Sequence, residues 1–345
     1  MMKALRKLEA KAGGQIVEIE LPQIGEHDLL VRVRATAMCK SDIEVIEWSP
    51  LVAAAHYALP FTMGHEFAGE VAAVGSLVKN FRIGDKVAGE THIPCGSCHE
   101  CRTDNQHICS SNMGVLGRNV DGSFAEFIRL PEISAIKLAP DADLIEMSLL
   151  EPLGTALHGL QKAEVSGKVV AILGVGTIGL MACELAKVLG AVKVIAMDIN
   201  ESRLAHSLKV GADVAVNGLS EDLVKVVREH TQGRGADCIV DFTGHVRVIN
   251  QAIDALRTAG SLVHVGMVSA EMTIPGYMYR VVYRELKITG LFGRHMFKTW
   301  ELLMELLRND KVNLQNYVGA VMPMADYEKA VAEFNNLNGR AIMIP

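Results

Sequence analysis

The stretch from Val169 to Asp198, "VVAILGVGTIGLMACELAKVLGAVKVIAMD", restricts the fold more than any other part of the chain. An apolar run of strand character enters a glycine turn, Gly174-x-Gly176-x-x-Gly179, and a helical segment to Leu189 leads to a second strand ending at Asp198. A GxGxxG string alone is weak evidence, because glycine turns are common. Placed between a strand and a helix, each glycine acquires a physical reason. The first permits the tight turn, the second lets the backbone approach a pyrophosphate at the helix N-terminus, and the third lets the helix pack closely on the sheet. Asp198, about 20 residues past the turn, is where a carboxylate accepts from ribose hydroxyls and repels a 2′-phosphate, so NAD is favoured over NADP. Arg203 stands either beside the adenine or a phosphate, or as a solvated helix residue.

The same texture continues with "ESRLAHSLKVGA", "DCIVDF", "VRVINQAIDALRTAG" and "SLVHVG", which predicts a doubly wound, mostly parallel sheet. With 50% hydrophobic but only 5% aromatic residues, and 31 glycines, the composition matches a sheet covered by helices. At 345 residues the chain has room for two domains. From Gln15 to about Asp143, runs such as "DLLVRVRATAM" and "FAGEVAAVG" alternate with turns such as "RIGD" and "NVDGS", the pattern of an antiparallel, barrel-like β region. A helical segment, Thr299 to Asn309, and a polar tail follow the nucleotide half, the tail returning to the first domain.

The net charge of -6 gives no footprint for nucleic acid or an anionic membrane. No apolar segment is long enough to span a bilayer, the N-terminal stretch has no apolar signal core, and a cytoplasmic location is expected. Clustered thiols in such a compartment are more often metal ligands or redox groups than disulfides.

Four of the seven cysteines fall in "CGSCHECRTDNQHIC", with spacing C-x2-C-x2-C-x7-C. One loop can wrap Cys95, Cys98, Cys101 and Cys109 onto a tetrahedral zinc. The bacterial iron-sulfur run places three residues and a trailing proline around its fourth cysteine, unlike the spacing here, where Ser110 follows. Four thiolates fill the coordination sphere, so this zinc is expected to be structural. Chemistry then falls to Cys39, His65, Glu66 and Glu151, each weak alone but together the ligand types of an open catalytic zinc site. Cys183 and Cys238 read as buried apolar residues.

Gly64-His65-Glu66, the cysteine lobe, Glu151-Pro152-Leu153 and the nucleotide fold occur in one order along the chain, and in this the sequence resembles the zinc-containing medium-chain alcohol dehydrogenase superfamily over essentially its whole length. Within it, "IEWSP", "ETHIPCGSCHEC", "EPLGTALHGL" and "GRHMFKTWELL" resemble the threonine 3-dehydrogenases more than the polyol or ethanol enzymes. The resemblance implies a GroES-like β-barrel catalytic domain, 1–153 completed by 294–345, and a Rossmann NAD-binding domain, 154–293. It implies Cys39, His65 and Glu66 as catalytic zinc ligands, Glu151 at the ion or on its water, and Asp42 behind His65. Two zinc ions per chain and NAD are thus the expected cofactors. Cofactor contacts are implied for Ile178, Asp198 and Arg203, for the backbone of Val265, Gly266 and Met267, and for Leu291 and Phe292. His92 and Arg294 are implied near the substrate, Arg294 as a partner for its carboxylate. A homo-oligomer, tetramer or dimer, is implied too.

Two positions depart from that family's pattern. Where the threonine enzymes read Cys-Gly-Thr-Asp-x-His, this chain reads Cys39-Lys40-Ser41-Asp42-Ile43-Glu44. Ser41 can replace threonine as a hydroxyl relay; Glu44 in place of histidine is an ordinary carboxylate, a poor base near neutral pH unless its pKa is raised. Lys40 matches the basic residue that ethanol-type relatives place by the pyrophosphate. The expected reaction is oxidation of a secondary alcohol by hydride transfer to NAD, L-threonine to 2-amino-3-oxobutanoate. A polyol, amino-sugar or aminocyclitol dehydrogenase is the alternative among enzymes, and a non-catalytic zinc-ribbon or nucleotide-binding protein the alternative outside them.

Overall fold

The structure, a computed structural model, describes residues 1–55, 57–268 and 270–345. It divides into two units, Met1–Pro152 joined by Leu314–Pro345, and Leu153–Asn313.

In the first unit the strand Asp28–Ala37 organises the sheet. One edge pairs antiparallel with Glu66–Val74 along nearly its full length; the other is shared, Phe127–Pro131 taking its first half and Arg340–Ile344 its end, where Ala37 faces Ile342. Irregularities in the register between Leu30 and Val31, and again between Val33 and Ala35, bend the strand. Alternation explains the layering, since Leu29, Val31 and Val33 point into a core with Phe67, Val87 and Ile128 while Arg32 and Arg34 face out. A three-stranded sheet, Gln15–Ile19 with Met2–Lys7 and Phe61–Thr62, completes this GroES-like β unit. The C-terminal tail does return here, as its strands Val318–Pro323 and Arg340–Ile344 join the main sheet.

In the second unit six strands lie parallel. Numbered along the chain they are Val169–Leu173, Lys193–Asp198, Val214–Asn217, Ala236–Asp241, Leu256–His264 and Lys287–Gly290, and their spatial order is 3-2-1-4-5-6. The direction of winding reverses beside Val169–Leu173, and the turn at its carboxyl end carries Gly174, Gly176 and Gly179. Val169–Leu173 is apolar throughout, and residues 194–197 and 238–240 in its two neighbours are buried apolar residues, as expected of a sheet covered on both faces. The helix after Val169–Leu173, Thr177–Val188, buries Leu180, Met181 and Leu185.

Three local features differ from the sequence expectation. The strand Val214–Asn217 and helix Leu223–Glu229, capped by the Asp222 carboxylate, carry too short a pattern to stand out. The helix Val246–Ala255 stops before "LRTAG", because the Arg284 guanidinium takes the carbonyls of Ile253 and Leu256 and the next strand begins at once. Residues 294–313, placed with the first domain on the family pattern, cluster with the second unit, since the helix Lys298–Arg308 sets Thr299 against Gln161 and Trp300 against Arg294. Among the described residues no helix is long and apolar enough to cross a membrane.

Candidate active site

Cys39, His65 and Glu66 converge in the first unit, their ligand atoms all within 4.8 Å of one another. Cys39 is the N-cap of the helix Lys40–Glu47, where its sulfur meets the positive end of the helix dipole. Glu66 begins the strand paired with Asp28–Ala37 and His65 immediately precedes it, so Glu66 lies opposite Ala37, two residues from Cys39. Gly64 makes the entry possible. Its φ is +89°, and a Cβ there would come within 2.2 Å of the Phe124 ring.

Asp42 ties two of these residues together. Its Oδ2 accepts from the Cys39 backbone N–H at 2.9 Å, and its Oδ1 lies 3.4 Å from Nδ1 of His65. Burial works against a charged imidazole, yet Asp42 and Cys39 outweigh it and hold the His65 pKa well above the usual histidine value. A cation entering this group therefore displaces a proton, which makes its binding pH-dependent.

Glu66 is fully buried and grips Arg340 through both oxygens, at 2.7 and 2.9 Å. Burial pushes its carboxyl up, Arg340 works against that, and the charge of Glu151 adds to the rise. Arg340 also reaches Sγ of Cys39 at 3.6 Å. Glu151, in the first turn of the helix Leu150–Ala163, is not brought into the three-ligand group; it accepts from the Thr91 hydroxyl at 2.8 Å, and that hydroxyl also approaches the His65 carbonyl. His92, in the short strand His92–Ile93, is buried with Nδ1 2.7 Å from Glu90, which fixes that nitrogen as the donor when Glu90 is ionised.

Ser41 lies in the first turn of the Cys39 helix, half-buried. Lys40 and Glu44 form an i,i+4 pair at 3.1 Å. Burial raises the Glu44 carboxyl, but a hydrogen bond with Ser49 and the Lys40 ammonium more than offset this, so its pKa ends below the usual carboxylate value. Glu44 is thus already ionised near neutral pH and a weak base there.

The four lobe cysteines also form one group. Sγ of Cys95 lies 3.9 Å from that of Cys101, and Cys98 lies 3.7 Å from Cys109. Sulfurs at the corners of a zinc tetrahedron with ~2.3 Å bonds stand about 3.8 Å apart, so the set fits that ion. N–H groups of Ser97 and Cys98 point at Cys95, and with the Ser97 hydroxyl they hold its thiol down to about 5, favouring the thiolate a metal needs.

In the second unit, a Cβ at Gly176 would meet open space, whereas one at Gly179 would stand 2.1 Å from the Gly174 carbonyl oxygen. Gly176 is the N-cap of the helix Thr177–Val188, whose second residue is Ile178, so the turn can receive a phosphate. Asp198 ends its strand with Oδ1 accepting from the N–H groups of Ile199 and Asn200, which steadies the carboxylate. Arg203 follows in the helix Glu201–Lys209, capped by Asn200. Asp241 ends a neighbouring strand and accepts from Thr243, Gly244 and Nδ1 of His264, while Val265 and Gly266 donate to its carbonyl. Met267 is half exposed just beyond, and Leu291 donates to the His264 carbonyl, with Phe292 exposed after it. Arg294 is 1% exposed, donates to the Thr155 hydroxyl at 3.2 Å and lies over the Trp300 ring.

Sequence reasoning missed Arg340, Thr91, Glu90 and Asp241. Asp241 had a signal, an acid ending an apolar strand in "DCIVDF"; Arg340 had only its place before the apolar run "AIMI".

A doubly wound parallel sheet with a glycine turn at its switch point, together with a GroES-like unit holding two groups of metal-ligating side chains, defines the class of zinc-binding dehydrogenases. The comparisons with known proteins agree: residues 25–141 match the alcohol dehydrogenase GroES-like domain and residues 177–309 the zinc-binding dehydrogenase family. The chain belongs to the zinc-containing medium-chain alcohol dehydrogenase family. It is 36% identical over 332 residues to L-threonine 3-dehydrogenase of Caldanaerobacter subterraneus, covering 96% of this chain and 95% of that one. It is similar in structure to galactitol-1-phosphate dehydrogenase of Escherichia coli, with a TM-score of 0.91 and 26% identity over 100% of both chains. A zinc-binding dehydrogenase of Sinorhizobium meliloti bound to NADP gives a TM-score of 0.90 at 25% identity, covering 100% of this chain and 99% of that one.

Proposed function

We propose that this chain oxidises a secondary alcohol with NAD, and that L-threonine is its substrate and 2-amino-3-oxobutanoate its product. The convergence of Cys39, His65 and Glu66 carries this reading. Cys39, His65 and Glu66 would hold a zinc ion that would supply Lewis acidity toward the alcohol, and bound NAD would supply the hydride acceptor. Asp42 fixes the tautomer and orientation of His65 through Nδ1. Thr91 holds Glu151, whose charge acts on Glu66. The Ser41 hydroxyl passes the alcohol proton toward solvent, because Glu44, tied to Lys40 and Ser49, is a poor acceptor. Lys40 serves that pairing more than a phosphate. His92, oriented by Glu90, offers its ring to a substrate polar group. The lobe of Cys95, Cys98, Cys101 and Cys109 holds a second, structural zinc.

In the second unit, Gly174, Gly176 and Gly179 admit the pyrophosphate, and Asp198 takes the ribose hydroxyls and disfavours the 2′-phosphate of NADP. Arg203 lies toward the adenine end; Val265 to Met267, Leu291 and Phe292 flank the nicotinamide. Arg294 is given a packing role, since its guanidinium is buried against Thr155 and Trp300.

One observation favours a polyol, amino-sugar or aminocyclitol as a second reading: Glu44 puts a carboxylate on the Cys39 helix, suited to a hydroxyl or amine. NADH production across L-threonine, 2,3-butanediol, sorbitol and aminocyclitols separates the two. Metal analysis tests the class itself. Two zinc ions per chain, falling to one in Cys98→Ser, are expected; a chain that holds only the lobe zinc and turns over unchanged in Cys39→Ser would refute the catalytic assignment.

A further inference from the structure

On a turn packed against Gly64, the residue before His65, the first unit carries an arginine that the foregoing assignments leave unused. Arg118 sits at the tip of a tight turn in which Gly117 donates to the Val120 carbonyl, Arg118 to the Val115 carbonyl, and Asn119 Oδ1 accepts from Val115. The turn is pinned on two sides. The strand before it, Gly114–Val115, pairs with His92–Ile93, and Leu116 donates to the Thr91 carbonyl. On the other side Gly117 lies so close to the Gly64 peptide that a Cβ would stand 2.7 Å from the Gly64 oxygen. Arg118 therefore follows a residue in contact with the one that precedes His65, and it leaves a strand hydrogen-bonded to His92.

The guanidinium lies over the Tyr57 ring, 5.4 Å from its centroid, and Tyr57 stacks on Phe61 and meets Trp48 edge-on. Burial pushes the Tyr57 phenol up, Arg118 draws it back, and Asp42 and His65 act on it from the metal group. Arg340 and Arg6 of this unit are already engaged, with Glu66 and Asp121 respectively. Arg118 forms no ion pair among the described residues. A guanidinium over an aromatic face is weakly hydrated and keeps donor N–H groups for a planar anion.

We propose that Arg118 receives the carboxylate of the substrate, making it the residue that selects an anionic secondary alcohol over a neutral one. This rests on the reading of the chain as an alcohol-oxidising zinc enzyme and deepens it. The substrate would hang between two anchors in one unit, its hydroxyl at the Cys39, His65, Glu66 group and its carboxylate at Arg118.

L-Threonine and L-threoninol are a matched pair of probes, since threoninol keeps the amine and secondary alcohol but carries a hydroxymethyl in place of the carboxylate. Calorimetric affinities of the zinc-loaded, NADH-bound full chain are compared for wild type, Arg118→Met and Arg118→Lys. Loss of one charge-assisted contact predicts that Arg118→Met weakens threonine binding about 10- to 100-fold and leaves threoninol within about twofold. Arg118→Lys should recover part of the loss, because it restores the charge without the fork. Equal changes for both ligands, no change for either, or a wild type that binds threonine no tighter than threoninol each overturn the proposal. A wild type that discriminates the pair through Arg118 yet makes no NADH from any alcohol supports the anion site while sinking the proposed activity.

Discussion

Both oxygens of Glu66 are held by the guanidinium of Arg340, at 2.7 and 2.9 Å, in a pair buried from solvent on both sides. Arg340 comes from the last strand of the chain, so this pair fastens the C-terminal tail to a candidate metal ligand. Arg340→Met should cost about 3–5 kcal/mol of stability, because it leaves a buried carboxylate without its partner. Urea unfolding checks this, and adding Glu66→Gln should recover part of the loss; a single variant as stable as wild type would contradict the buried-pair account.

Asp42 steadies Cys39 and His65 at once. Asp42→Asn keeps an oxygen for the Cys39 N–H but loses the charge facing His65, and a loss of about 10- to 100-fold in metal affinity or activity is expected. Chelator competition followed by turnover measures both.

Glu44 lies below the usual carboxylate pKa because of Ser49 and Lys40, despite its partial burial. Since it is ionised throughout the neutral range, Glu44→Gln should leave the pH dependence of kcat/KM near neutrality unmoved. Glu44→His places a group titrating near ~6.5 at the same position and should shift the acidic limb. A displaced profile in Glu44→Gln would restore this carboxylate to the proton path.

Asp198 has Oδ1 occupied by two backbone N–H groups, so its orientation is set before any ligand arrives. Asp198→Ser should raise the KM for NAD by about 10-fold or more and improve the relative use of NADP, as read from initial rates with each cofactor.

Asp237 contributes pH-dependent stability to the second unit. Burial raises its carboxyl, but Arg257 at 2.6 Å and the Val169 N–H at 2.8 Å bring it below its ordinary value. With the folded pKa below the unfolded value of about 3.9, the contribution is fully present above that pH and lost as pH falls through the folded pKa. For so partly exposed a pair it amounts to about 1 kcal/mol. Urea midpoints of Asp237→Asn should therefore trail wild type above pH ~4 and converge with it in more acidic buffer.

Much of this molecule was legible because its signals are local. The glycine turn and Asp198 sit within one strand-turn-helix-strand unit, and the lobe cysteines lie within one loop, so spacing alone implied both geometries. The candidate ligand group of Cys39, His65 and Glu66 required the family pattern, since Cys39 and His65 stand on different elements and neither is informative alone. Secondary structure failed where tertiary partners decide it: the helix before "LRTAG" ends where Arg284, about thirty residues on, takes its last carbonyls.

The sequence by itself determined the doubly wound sheet, the β unit before it and the four-sulfur lobe, because periodicity and short spacings are properties of neighbouring residues. Only the tertiary structure decided that Arg340 holds Glu66 from 274 positions away, that Thr91 holds Glu151, that Lys40 and Ser49 keep Glu44 a weak base, and that Arg118 lies on Tyr57. Charge and hydrogen-bonding partners are set by distance in space and by burial, and neither quantity is written in the order of the chain.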